Sequence, residues 1–306
     1  MRRQRLLPSL TLTLIATVST PALASPAPTA APITEPEAGG LHTRVVTPHG
    51  PVHLFRPAGY QRRGAGLVIY VHGLYTRVDQ AWREHHLAEQ FAASGLNALF
   101  VAPEAPEAAD EEPAWTDLES LITSALGRAR LRRPSGPLLA VGHSGAYRTL
   151  ALWLDHPALR HLILVDALYG NGPEFRAWLE ADRAHKMTLI VKGTARWADP
   201  FVRSFRRAVT RAGIPDSFEE LTRGERTAQL LCLRSQYGHM ELITEGRTLP
   251  VVLRRTALPR LAPPAAVAAA APPSPLVAPP AETPAPAPAP AAQAARGVPD
   301  GGVRGE

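Results

Sequence analysis

The pattern that most constrains this chain is a buried strand turning directly into an apolar helix, with mostly small residues between them. The strand is Pro137-Leu138-Leu139-Ala140-Val141 and the turn is Gly142-His143-Ser144-Gly145-Ala146; the helix then runs to Leu154 through Leu150, Leu152 and Trp153. An uninterrupted apolar strand belongs in a sheet covered on both faces by helices. Glycine at 142 and 145 and alanine at 146 allow a turn that would crowd larger side chains, and that turn holds Ser144 up at the end of the sheet.

The flanking sequence repeats this alternation. Thr43 to Phe55 suggests a hairpin around Pro48-His49-Gly50-Pro51, after which Gly66-Leu67-Val68-Ile69-Tyr70-Val71 reads as a buried strand. A helix with Trp82, Leu87, Ala88, Phe91 and Ala92 closes at Gly95, and His85 and His86 fall within it. The strand Ala98-Leu99-Phe100-Val101 precedes a helix whose Leu118, Leu121, Ile122, Ala125, Leu126 and Ala129 recur at helical spacing. Beyond the serine turn come a strand ending at Val165, a helix with Trp178, a strand Met187 to Lys192, a strand Ala228 to Arg234 and a short helix near Val251 to Arg255. Between the last two strands, Asp199-Pro200 looks like the N-cap and first residue of an amphipathic helix. Its apolar positions are Phe201, Val202, Phe205, Ala208, Val209 and Ala212, with arginines 203, 206, 207 and 211 on its solvated side. The fold class is therefore α/β, a mostly parallel central sheet with helices on both faces.

The serine turn resembles the nucleophile elbow of the α/β-hydrolase superfamily, with Ala146 where the usual Gly-x-Ser-x-Gly ends in glycine. The resemblance spans roughly residues 41 to 256 and implies a nucleophile, a base, an acid and an oxyanion hole in a set order along the chain. Ser144 would be the nucleophile. His72-Gly73-Leu74-Tyr75, after a buried strand, is similar to the family's His-Gly oxyanion segment, which implies that the Leu74 and Gly145 N–H groups face the oxyanion. His239, in the loop after the last strand, stands where the family keeps its base. Two aspartates compete for the acid: Asp166, directly after its strand, and Asp199, after the next one. The family most often places its acid in the later loop and sometimes after the earlier strand, but Asp199 already has a helix cap as its explanation, so Asp166 is preferred, with Asp199 as the alternative. The short span from Asp166 to Met187 leaves no room for a helical lid, so no cap domain is expected. Phe175 and Trp178 read as core residues there, with Tyr169 beside a shallow cleft.

The chain opens with an export signal. Met1-Arg2-Arg3-Gln4-Arg5 is basic, Leu6 to Thr20 is apolar but too short and Pro8-interrupted for a bilayer span, and Ala22-Leu23-Ala24 is a cleavage site. The expected organisation is a signal peptide over 1–24, a Pro/Ala-rich linker over 25–40, a catalytic domain over 41–256 and a disordered Ala/Pro-rich tail over 257–306. The two flanking segments lack the large apolar residues needed to offset chain entropy. The tail suits either an envelope contact or an inert solubilising extension. Loss of Arg2, Arg3 and Arg5 takes the formal charge from +6 to +3, too even to imply a nucleic-acid partner.

The lone cysteine, Cys232, excludes an internal disulfide and reads as a buried thiol within a strand. No calcium-loop or phosphate-cradling glycine motif is present, so no metal and no cofactor are implied. The expectation is an exported, periplasmic or secreted serine hydrolase. Its substrate would be a small-molecule or polymeric carboxylic ester, cleaved through an acyl-enzyme. A peptidase or amidase with the same triad is the enzymatic alternative. A catalytically silent fold used as an envelope-binding module is the alternative of another class.

Overall fold

The computed structural model describes residues 30–262; the expected signal peptide and almost all of the tail lie outside them. One ten-stranded sheet organises the chain. In chain order its strands are β1 (Ile33–Glu37), β2 (Gly40–Thr47), β3 (Gly50–Arg56), β4 (Gly66–Val71), β5 (Ala98–Pro103), β6 (Leu138–His143), β7 (Leu159–Val165), β8 (Lys186–Val191), β9 (Ala208–Ala212) and β10 (Leu230–Arg234). The helices are α1 (Val78–Glu84), α2 (Leu87–Ser94), α3 (Leu118–Arg128), α4 (Tyr147–Leu152), α5 (Gly172–Ala181), α6 (Ala195–Ser204), α7 (Arg223–Thr227), α8 (Glu241–Thr244) and α9 (Thr248–Arg254). Across the sheet the order is β1-β2-β3-β5-β4-β6-β7-β8-β10-β9. The first three strands run antiparallel to their neighbours, and the rest pair in parallel.

β4, β5 and β6 are buried along their whole length, as their continuous apolar sequences require. Alternate residues feed two cores. Leu67, Ile69, Leu138, Leu162 and Leu189 join one beneath α3, α5 and α6, together with Phe175 and Trp178. Val68, Tyr70, Leu139, Ile163 and Ile190 join the other beneath α1, α2 and α9. This is the α/β class and the two-sided helical cover expected from sequence. Cys232 is buried in β10, where desolvation raises its thiol to about 11 and leaves it unreactive.

Four local expectations are corrected. Part of the 25–40 linker is ordered, because Ile33–Glu37 pairs antiparallel with β2 across the turn Ala38-Gly39, whose residues both have positive φ. The helix expected through His85 and His86 is two helices, α1 and α2, broken where His86 adopts φ 48° and the His85 ring turns inward to the Tyr70 hydroxyl at 3.0 Å. Asp199 is not a cap: α6 starts one turn earlier, after Thr194, and carries Pro200 in its interior. The expected continuation to Ala212 is strand β9, which pairs in parallel with β10, so ladder hydrogen bonds override a helical apolar spacing. Of the four arginines expected on that helix face, only Arg203 lies on α6. Arg211 is on β9, 3.3 Å from Glu225.

Candidate active site

The C-terminal ends of the parallel strands bring three of the candidate residues to one edge of the sheet. Ser144 follows β6, Asp166 follows β7 and His239 lies beyond β10. Ser144 has φ 54°, a left-handed conformation that costs an L-residue energy and is kept only where the surroundings over-determine it. Close packing does so here. A Cβ on Gly142 would lie 2.6 Å from Leu150 Cδ1 and 2.9 Å from Ala146 Cβ, so glycine at 142 is what leaves room for alanine at 146.

The two oxyanion candidates lie against the serine turn. A Cβ on Gly73 would approach Ser144 Cβ to 2.7 Å, and one on Gly145 would approach Leu74 Cγ to 2.5 Å. The loop carrying Leu74 is fixed by three bonds: buried His72 donates Nδ1–H to the Gly73 carbonyl at 2.7 Å, its Nε2 accepts from Ala105 N at 3.1 Å, and Tyr75 N donates to Glu107 O at 2.7 Å. Among the described residues, none accepts a hydrogen bond from the Leu74 N–H.

Asp166 is fully buried and receives five hydrogen bonds. His239 Nδ1 donates at 2.7 Å, the backbone N–H groups of Lys192, Gly193 and Thr194 each at 2.9 Å, and the Thr194 hydroxyl at 2.7 Å. Burial alone would raise its pKa, but these donors outweigh burial and hold the carboxyl well below the usual carboxylate range. An ionised carboxylate only accepts, so His239 carries a hydrogen on Nδ1. Asp199 is elsewhere engaged, in an ion pair with Arg234. The structure thus brings Asp166, not Asp199, to His239. No hydrogen bond joins Ser144 Oγ to His239 among the described residues, a looseness common to sites of this kind without substrate.

Sequence reasoning missed the residues that fix this pair. The His143 ring lies 4.6 Å from that of His239 at a tilt of 31°, and it donates Nε2–H to the His239 carbonyl at 3.3 Å. Desolvation pushes His143 down to about 3 and His85, packed edge-on behind it, down to about 4, so both are neutral near pH 7. Lys192, Gly193 and Thr194 left no signal beyond their place after a strand. The rim is aromatic and open: Tyr75 is 83% exposed, Tyr169 packs at 5.0 Å against Trp197, and the Arg196 guanidinium lies 3.7 Å over that indole. Between β7 and β8 only α5 intervenes.

The mostly parallel sheet covered by helices on both faces, with a serine turn after β6, is that of an α/β-hydrolase fold, whose members most often carry the acid one strand later than Asp166. No family model matches the sequence, and neither does any curated protein. Solved structures similar to this chain include an S-formylglutathione hydrolase from Agrobacterium tumefaciens, at 14% identity and TM-score 0.45 over 76% of this chain and 100% of that one. Another is the S-formylglutathione hydrolase FrmB from Staphylococcus aureus, at 10% identity and TM-score 0.47 over 74% and 99%. A ferulic acid esterase is similar at 13% identity and TM-score 0.45 over 70% and 93%. At this identity the likeness concerns backbone layout and not substrate.

Proposed function

We propose that this protein is an exported serine hydrolase that cleaves a carboxylic ester through an acyl-enzyme. The observation that carries the reading is the 2.7 Å bond from His239 Nδ1 to the buried Asp166 carboxylate, beside a serine held at positive φ on a strand-to-helix elbow. In the proposed reaction Ser144 Oγ attacks the ester carbonyl while His239 Nε2 takes its proton. Asp166 keeps the imidazole in the required tautomer and stabilises the imidazolium. The Leu74 and Gly145 N–H groups stabilise the oxyanion. The tetrahedral species then collapses, His239 returns the proton to the departing alkoxide, and water repeats the sequence to release the acid.

Export rests on the basic, apolar and small-residue succession of residues 1–24. An ester is favoured over an amide because an alkoxide departs with less assistance than an amine, and the open aromatic rim offers apolar area without a closing lid. Among the described residues no helix is long and apolar enough to cross a membrane. Hydrolysis of a panel of short-chain aryl and alkyl esters by the wild type and by Ser144→Ala tests the reading. Turnover by the wild type and its loss in the variant are expected; equal rates would overturn it.

A further inference from the structure

The β1–β2 hairpin gathers a second set of chemistry-bearing side chains, four strands or roughly 19 Å from β6. Glu35 lies directly opposite His42 in the ladder, and Glu37 follows two residues later on the same face. The His42 Nδ1 is 3.3 Å from Glu35 Oε1 and 3.0 Å from Glu37 Oε2, and one ligand atom from each of the three residues lies within 4.8 Å of the others.

A hydrogen-bond chain behind the His42 ring fixes its orientation. Arg44 donates twice to Asp79, at 2.6 and 2.7 Å, so Asp79 is a carboxylate that only accepts. His53 Nε2, 2.7 Å from Asp79 Oδ1, therefore bears a hydrogen. His42 Nε2 in turn lies 2.8 Å from His53 Nδ1, a hydrogen bond that holds the His42 ring with Nδ1 facing the two carboxylates. The imidazole is only 5% exposed. Trp82 stacks on both imidazoles, at 4.6 and 4.8 Å, and donates Nε1–H to Glu37, which keeps that carboxylate in place.

We propose that Glu35, Glu37 and His42 bind one divalent transition-metal cation of the zinc type. The two nitrogen-to-oxygen separations approach the roughly 3.3 Å edge of a tetrahedron with bonds of about 2.0–2.1 Å. One imidazole and two carboxylates suit such an ion better than calcium or magnesium, which take oxygen donors alone. The His53–Asp79–Arg44 chain is the outer support that orients a metal-binding imidazole. Glu35, with 61% of its side chain exposed, leaves the remaining coordination position to solvent. The ion would tie edge strand β1 to β2, and its presence does not depend on the proposed hydrolase activity. The competing occupant is a single extra proton shared by His42 and the carboxylates.

Zinc titration of the full chain, made without a polyhistidine tag and followed by calorimetry and melting temperature, separates the two. One zinc per chain and a raised melting temperature are expected. Glu35→Gln should weaken binding by about tenfold or more, and Glu35→Gln/Glu37→Gln should remove both binding and the shift. Ester turnover should be unchanged in both variants. Glu35 is exposed enough that its replacement leaves folding intact. Undiminished one-to-one binding in the double variant would place the ion elsewhere and overturn the proposal. So would a wild type that takes up no zinc.

Discussion

His239 donates its Nδ1 hydrogen to Asp166 at 2.7 Å, and the same carboxylate is held from behind by the N–H groups of Lys192, Gly193 and Thr194 and by the Thr194 hydroxyl. Asp166 is thereby an acceptor with no freedom to turn away, and it orients the imidazole with a hydrogen on Nδ1.

Replacing Asp166 with asparagine should leave the chain folded and lower ester turnover by about 10³ to 10⁴, because an amide favours the wrong imidazole tautomer and does not stabilise the imidazolium. Asp199→Asn breaks only a partly exposed pair with Arg234, so it should cost at most about 1 kcal/mol of stability and leave turnover in place. Steady-state rates and melting temperatures of the two variants check this. An inactive Asp199→Asn beside an active Asp166→Asn would contradict it.

The contact between Gly145 and Leu74 gives a second expectation. A methyl group at 145 would meet Leu74 Cγ at 2.5 Å and push the two proposed oxyanion N–H groups apart. Gly145→Ala should lower turnover by about 10² or more with little change in KM, the signature of a loss confined to the transition state. Adding Leu74→Ala should restore part of that loss by removing the clash. Full activity of Gly145→Ala would mean that this approach does not set the oxyanion geometry.

Buried histidines make the fold acid-sensitive. Desolvation holds His85 at about 4, His143 at about 3 and His161 well below its ordinary value, whereas the unfolded chain binds these protons near pH 6.5. Their contribution is thus complete above about pH 6.5 and declines as pH falls towards 4. At pH 5 the loss is on the order of 2 kcal/mol each for His85 and His143. Asp166 acts in the same sense at lower pH: its contribution is complete above the usual carboxylate range and is lost as pH falls through that range towards its depressed folded value. Denaturant midpoints should therefore drop between pH 7.5 and 5, and a flat profile would contradict this.

What the sequence disclosed was local. The elbow at Ser144 was legible because strand, small-residue turn and helix are contiguous, and the buried strands because both their faces are apolar. The choice between Asp166 and Asp199 was not, since it depends on which carboxylate meets a histidine in a distant loop. Asp199-Pro200 misled because that dipeptide commonly starts a helix, whereas here Thr194 precedes the first turn and Pro200 sits inside. Edge strands β1 and β9 were hidden for a related reason. Their pairing is supplied by β2 and β10, and neither has the apolar run of a central strand. The break at His86 and the inward turn of His85 depend on Tyr70, a residue of the sheet below.

The central claim is that Ser144 is the nucleophile, and covalent labelling of the full chain by a fluorophosphonate probe tests it most directly. The wild type should be labelled at a single residue, identified as Ser144 by peptide mass spectrometry, with ester turnover falling in step. A folded Ser144→Ala protein should take no label. Labelling that persists in that variant, or a wild type that turns over esters without reacting at Ser144, would contradict the account.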